Sequence, residues 1–223
     1  KVIKNQNRLI VNHHLKNFTK NGVSMKTYRI EEEITNGWAE LHTNLTRDEA
    51  ATRLNELIDK RSKIILDIGF GTGDSSLALK EMYKNYTILG IEAYMPGIQR
   101  LKSEGIAAQY GDALEILESL DNSSISQIYM LFPDPWQKSK HRKRRLFTSY
   151  TFEVIKKILV QGGKFQFTTD NINYAFNAKN IIGKTCSEKV NFSRSRGSRP
   201  ITKYELKAEK KRNFIFDLIY FKH

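Results

Sequence analysis

Between Asp67 and Asp74 the chain reads Asp-Ile-Gly-Phe-Gly-Thr-Gly-Asp, and three glycines at alternate positions leave few ways to fold. They follow a short apolar, β-branched run, Lys63–Ile68, and precede a stretch of helical spacing from about Asp74 to Lys84. A strand that ends in such a turn and opens a helix lets the backbone approach a ligand closely. The helix start adds free N–H groups for a carboxylate or phosphate. A plain β–α turn uses glycine in the same way, so the turn alone names no ligand. A dinucleotide fingerprint needs its third glycine at position 74. Asp74 stands there, and the third glycine comes one residue early.

The rhythm continues downstream. Strands are expected at Thr87–Glu92, Ala107–Tyr110, Gln127–Phe132, Gly163–Thr168, Lys189–Phe192 and Phe214–Phe221. Helices are expected at Met95–Ser103, Ala113–Leu120, Leu146–Val160 and Tyr174–Ile182. Strand and helix in alternation argue for an α/β fold: a seven-stranded, mostly parallel sheet with an antiparallel last strand and helices on both faces. Upstream, Thr46-Arg47-Asp48-Glu49 reads as a capping box opening a helix with Leu54, Leu57 and Ile58 on its apolar face. Residues 1–45 are polar and without periodicity. The expected layout is therefore an N-terminal extension, 1–45, and one domain, 46–223.

Composition narrows the partners. A net charge of +13 favours a polyanion, although solubility alone is also served by such a surplus. The single cysteine, Cys186, excludes an intrachain disulfide and a cysteine-rich zinc site, and adjacent His13 and His14 fall on different faces of any regular element. No metal site is expected. No apolar run reaches membrane-spanning length and no signal peptide is visible, so a cytosolic location is expected. The chain begins at Lys1, which reads as a processed, trimmed or fragmentary product.

Carboxylates recur at the ends of successive strands: Asp67, Glu92 and Asp112. Each alone is more often a helix cap or a surface charge. Three in series, after the glycine turn, point to a cofactor site. The order carboxylate–x–Gly–x–Gly–x–Gly resembles the first motif of Rossmann-like methyltransferases. The resemblance implies S-adenosylmethionine, with Gly69, Gly71 and Gly73 forming the turn and Asp67 meeting its methionine portion or a nearby water. It also implies Glu92 on the ribose hydroxyls, by the geometry of dinucleotide sites, and Asp112 on the adenine amino group.

The fourth strand ends in Phe132-Pro133-Asp134-Pro135-Trp136, and a basic run from Lys138 to Arg145 follows. Two prolines fix the backbone around Asp134, which suits a preorganised site. A basic run is usually a solvated face, but one beside an acceptor site favours phosphate contact. From about Ile64 onward the chain resembles the bacterial tRNA (guanine-N7)-methyltransferase family. The carriers are Asp67–Gly73, Gly90–Glu92 with Pro96-Gly97, Asp112-Ala113, Phe132–Trp136 with the basic run, Thr169-Asp170 with Tyr174-Ala175, and Thr202-Lys203-Tyr204-Glu205.

The resemblance implies methyl transfer to N7 of a guanine in the tRNA variable loop, usually position 46. Asp134 would be catalytic and would also contact the cofactor. Lys138, Asp170, Thr202, Lys203, Tyr204 and Glu205 would contact the substrate. Lys140, Arg142, Lys143, Arg144 and Arg145 would take the RNA backbone, with Arg194, Arg196, Arg199 and Lys203 adding phosphate contacts. Trp136 would support a displaced base or serve the core.

The chain departs from the family pattern at Asp67, where glutamate is usual. The segment between Glu92 and Asp112 is also shorter, and Lys207–Asn213 lacks a glycine-containing ending. The residues alone leave three alternatives open: a related methyltransferase for another RNA, a protein or a small molecule; a non-catalytic RNA-binding homologue; and an NAD-dependent oxidoreductase, against which Asp74 counts. Monomer and homodimer are equally compatible with the sequence.

Overall fold

The computed structural model describes residues 63–185 and 190–223, together with Asn55 and Ile58. Its first element, β1 (Lys63–Ile68), is buried from its second residue onward, as a strand covered on both faces must be. Ile64, Leu66 and Ile68 enter one apolar cluster and Ile65 a second, the period-2 alternation of a pleated strand. Then follow α1 (Asp74–Met82), β2 (Tyr86–Glu92), α2 (Met95–Ser103), β3 (Ala107–Tyr110), α3 (Ala113–Ser119) and β4 (Ile125–Leu131). A 3-10 helix (Ser139–Arg144) leads to α4 (Ser149–Ile158), β5 (Leu159–Thr169), α5 (Ile172–Thr185), α6 (Lys203–Lys210) and β6 (Phe216–Phe221).

The strands form one sheet in the order β3-β2-β1-β4-β5-β6. All pairings are parallel except β5 with β6. Leu79 of α1 and Ile98 and Leu101 of α2 cover one face. Ile116 and Leu117 of α3, Phe152 and Ile155 of α4, and Tyr174 and Ala178 of α5 cover the other. Burying each of the leucine, isoleucine and phenylalanine side chains among these contributes roughly 1.5–3 kcal/mol. The chain leaves β1 in one direction toward β2 and returns on the other side as β4. Ligands of open α/β sheets bind outside the carboxyl ends of the strands at this reversal.

Several elements differ from the sequence-based expectation. The sheet has six strands among the described residues, not seven. Val190–Phe192 forms no ladder, and Lys189 lies outside the described residues. That segment instead runs along the sheet margin, where the Ser193 N–H donates to the Asp217 carbonyl at 2.7 Å and Phe192 packs on Phe216. The helix expected from Leu146 starts at Ser149, because the Thr148 hydroxyl accepts from the Thr151 N–H at 3.1 Å and caps it. The 3-10 helix and α6 were not expected. Residues 1–45 and the capping box at Thr46–Glu49 lie outside the described residues. Of the helix expected there, Asn55 braces the end of α3 through the Ser119 carbonyl (3.0 Å) and the Asp121 N–H (3.2 Å).

One close approach locks α2 against the turn after β1. A Cβ on Gly97 would lie 1.9 Å from the Gly71 carbonyl oxygen and 3.1 Å from Phe70, so only hydrogen fits. Gly97→Ala is expected to lower the unfolding free energy by about 1–3 kcal/mol, the usual range for overpacking. Urea denaturation checks this, and an unchanged midpoint would show that the contact yields without strain.

Candidate active site

The turn after β1 is left-handed at each of its glycines: φ is 74° at Gly69, 61° at Gly71 and 91° at Gly73. Side chains with a Cβ resist that region. At Gly69 and Gly71 a Cβ would meet nothing within 4 Å, so backbone conformation, not crowding, selects glycine there, and the backbone lies open to a ligand. At Gly73 both reasons apply, since a Cβ would also press on Leu101 at 2.7 Å.

Two carboxylates hold this turn. Glu92, at the end of β2, accepts from the Gly71 N–H at 2.6 Å, and its other oxygen accepts from the N–H groups of Ala93 (2.7 Å) and Tyr94 (3.1 Å). Asp67 accepts the hydroxyls of Ser75 and Ser76, both at 2.7 Å. Asp67 is 1% exposed. The structure therefore places it behind the turn, fastening the first turn of α1, and not on a surface open to a ligand. Asp112 is exposed at the end of β3 and caps α3 through the N–H groups of Leu114 (2.9 Å) and Glu115 (3.3 Å).

The next strand end carries the Pro-Asp-Pro loop. β1 pairs with β4, Ile68 opposite Met130, so the loop rises beside the glycine turn. Phe132 and Trp136 both have positive φ, 52° and 41°, and they bracket Asp134, which is exposed. The Phe132 N–H is tied to the Thr168 carbonyl at 2.8 Å, and the Pro135 carbonyl to the Arg145 Nε at 2.8 Å. Strain of this kind persists only where the surroundings over-determine it. Trp136 packs under the 3-10 helix, edge-on to His141 and with the Arg144 guanidinium 5.1 Å above its ring.

The late Thr-Lys-Tyr-Glu segment reaches the same edge. Lys203 donates to the Thr72 hydroxyl at 3.0 Å, joining α6 to the glycine turn. Tyr204 stacks on Phe132, with ring centroids 6.5 Å apart. Burial lifts the Tyr204 phenol above its usual range, and the charges of Asp134 and Glu92 add to the lift, so the ring stands in the field of both carboxylates. Lys203 and Tyr204 thus face the site.

Their neighbours do not. The Thr202 hydroxyl caps α6 through the Glu205 N–H (3.2 Å). Glu205, 3% exposed, is paired with Arg199. Asp170 is half-buried and accepts from the Asn213 side chain at 3.0 Å. Lys138, Lys140, Arg142, Lys143 and Arg144 are exposed.

Two arginines expected on phosphates are turned inward. Arg145 is 7% exposed and lies 4.5 Å over the Tyr174 ring, so it braces the Pro-Asp-Pro loop from below. Arg199 is 3% exposed and grips Asp217 (2.6 and 2.9 Å) as well as Glu205. Thr168 and Gln166 complete the shell of Asp217, at 2.6 and 3.2 Å. Sequence reasoning missed Asp217. The available signal was an acidic residue inside an apolar β6.

A mostly parallel sheet reversing at β1 and β4 with an antiparallel last strand, a left-handed glycine turn, and carboxylates at the ends of β2 and β3 are the arrangement of a Rossmann-like methyltransferase, a class that uses S-adenosylmethionine. The donor set fits that group: an open glycine cradle suits close approach, and carboxylates suit ribose hydroxyls and a cationic sulfonium.

Residues 61–218 match the family described as "Putative methyltransferase". A tRNA (guanine-N(7)-)-methyltransferase of Hydrogenovibrio crunogenus is 30% identical over 79% of this chain and 79% of its own length. One of Buchnera aphidicola is 36% identical over 74% and 73%. The chain belongs to the tRNA (guanine-N7)-methyltransferase family. A solved S-adenosylmethionine-dependent methyltransferase from Archaeoglobus fulgidus, 13% identical, shares the fold with a TM-score of 0.50 over 84% of this chain and 100% of that one.

The carboxyl behind the turn generates a pH prediction. Burial pushes Asp67 up to about 6; the two serine hydroxyls oppose this and the charge of Glu92 adds to it. An acid whose folded pKa exceeds its unfolded value, roughly 3.9, stabilises the fold fully below that lower value and loses the contribution as pH rises through about 6. Asp67→Asn keeps an acceptor for the serines and carries no charge. It should gain on wild type by up to about 3 kcal/mol between pH 4 and pH 6. Urea midpoints at each pH check this, and a constant gap would show that Asp67 ionises as in the unfolded chain.

Proposed function

We propose that this chain transfers a methyl group from S-adenosylmethionine to N7 of a guanine in tRNA. The proposed target is position 46 of the variable loop, and Asp134 is the residue that positions the base. Membership of the family supports the reaction and the substrate. The observation that carries the role of Asp134 is its presentation between two left-handed residues at the reversal point of the sheet. Residues 46–223 act as the methyltransferase domain, and 1–45 precede it as an extension.

Gly69, Gly71, Gly73, Glu92 and Asp112 would hold the cofactor, with Asp67 bracing the turn and Asp134 at its acceptor side. When bound, S-adenosylmethionine supplies an electrophilic methyl group on a sulfonium. Guanine N7 carries an in-plane lone pair and no proton, so attack in line with the departing sulfur requires no general base. The work left to the protein is orientation and electrostatics. Methylation leaves positive charge on the guanine ring. Asp134 accepts from the N1–H and exocyclic amino edge and favours that charge as it develops. The base is engaged in folded tRNA and must leave its stack to arrive. Lys203, tied to Thr72, keeps Tyr204 beside the acceptor. Lys138, Lys140, Arg142, Lys143 and Arg144 take backbone phosphates.

The direct experiment incubates the protein with labelled S-adenosylmethionine and an unmodified tRNA transcript, then maps the product by cleavage at N7-methylguanine. Labelled tRNA without such cleavage would assign the methyl group to another atom. Asp134→Ala should lower kcat at saturating substrates by about 10²–10³, the scale of a lost transition-state contact, and near-normal turnover would remove Asp134 from its role. Neutralising Lys140, Arg142, Lys143 and Arg144 together should weaken tRNA binding and flatten its dependence on salt. Titrations at several salt concentrations measure this, and an unchanged slope would place the phosphates elsewhere.

A further inference from the structure

The segment following α6 has no part in the site described so far, yet it is built with care. α6 ends with Arg212 in the left-handed region, φ 54°. The Arg212 N–H donates to the Glu209 carbonyl at 2.9 Å, and the Asn213 N–H to the Ala208 carbonyl at 2.9 Å, the paired bonds of a Schellman ending. Glycine fills such a position without strain, and an arginine does not. Asn213 then anchors the turn to the end of β5 through Asp170, at 3.0 Å. The next residue, Phe214, is 83% exposed, the highest value among the large apolar side chains described. Phe216 pairs with Thr169, so Phe214 stands two residues beyond that pair, beside the corner at Asp170. Ile172 and Phe176, on the helix that leaves this corner, are also exposed.

We propose that Phe214 is a stacking platform for an unstacked nucleobase of the tRNA substrate, flanked by Lys210, Lys211 and Arg212 on the neighbouring phosphates. The proposal rests on the tRNA reading above. Lys210, Lys211 and Arg212 are all exposed, and an exposed ring beside cations combines the stacking surface and the charge by which proteins hold single-stranded nucleic acid. A protein partner would favour a surface depleted of lysine. The fold supplies position as well as chemistry: the anchor at Asp170 puts the ring at the carboxyl edge of the sheet, where the target guanine arrives. A base next to the target, displaced with it, is the occupant this geometry suits. Arg212 keeps its charge at a strained position because the charge is used there.

Filter binding and steady-state kinetics with an unmodified tRNA transcript test this. Phe214→Ala should raise both the Kd and the KM for tRNA by about tenfold, the effect of losing one stacked base. Phe214→Trp should restore them and Phe214→Leu should not. Calorimetric affinity for S-adenosylmethionine should be unchanged in all three. Arg212→Gly should raise Tm by about 2–4 °C through relief of strain while weakening tRNA binding. If Phe214→Ala binds tRNA as wild type does, the platform is wrong. It is equally wrong if Leu restores binding as well as Trp does, or if Phe214→Ala dissociates a homodimer in sedimentation and leaves RNA affinity intact. Failure of the wild-type protein to methylate tRNA would instead overturn the preceding reading, and the binding arms distinguish the two.

Discussion

β1 is hydrogen-bonded on both sides, to β2 and to β4, and the chemistry of the molecule depends on that double pairing. Because both neighbours run parallel to it, their carboxyl ends come out at one edge. The glycine turn of β1, the Glu92 carboxylate of β2 and the Pro-Asp-Pro loop of β4 are separated widely in sequence. The two ladders bring them side by side. Glu92 then completes the turn by accepting the Gly71 N–H at 2.6 Å. A carboxylate that holds a backbone amide is fixed in direction, and a fixed acceptor discriminates between ligands better than a mobile one. The closeness of Gly97 to Gly71 holds the same turn from the other side. The glycine turn is thus held by packing and hydrogen bonding from both sides.

The acceptor half is secured differently. Arg199, Glu205 and Asp217 form a buried ionic cluster that ties α6 to β6 and, through Thr168 and Gln166, to β5. Buried ion pairs recover their desolvation cost only with good geometry and further hydrogen bonds. Here Asp217 accepts from three residues, and Arg199 spans two carboxylates. Removing one partner would strand the others, so the cluster acts as a unit. Its effect is to hold the start of α6 where Lys203 reaches Thr72 and Tyr204 reaches Phe132. A network that contributes uncertain net stability thereby fixes the position of two residues that do face the site.

The parts of this arrangement legible in the sequence are those where one residue type is obligatory. Left-handed backbone shows as glycine at 69, 71 and 73, and strands buried on both faces show as unbroken apolar runs. The ionic cluster was not legible, because charge does not reveal direction: Arg145 and Arg199 read as phosphate contacts and point inward. The 3-10 helix was hidden in a basic run with no apolar period. α6 is signalled by Thr202-Lys-Tyr-Glu205, which has the form of a capping box, but the same four residues also carry the family resemblance, which implies substrate contact. Thr202 and Glu205 serve that helix; Lys203 and Tyr204 project from it. Of the expected strand at Lys189–Phe192, the described residues Val190–Phe192 have suitable composition but form no ladder, and the backbone bond to β6 comes from Ser193 beyond them.

Left-handed backbone at residues other than glycine ties these observations together. It occurs at Ser123, Phe132, Trp136 and Arg212 among the described residues. Ser123 lies in the turn before β4, remote from the carboxyl edge. The other three lie at that edge, where each costs about 1 kcal/mol or more relative to an unstrained conformation. Phe132 and Trp136 bracket Asp134, and Arg212 precedes Phe214. Relieving any of them with glycine would remove a ring that packs on Tyr204 or under the 3-10 helix, or the exposed charge of Arg212. A fold selected for stability alone has no reason to keep large side chains at such positions. On the tRNA reading proposed above, a fold that presents an acid, an aromatic ring and a cation to a folded polyanion has a reason at each of the three. Their restriction to one edge of the sheet follows from where the two ladders of β1 place the chemistry.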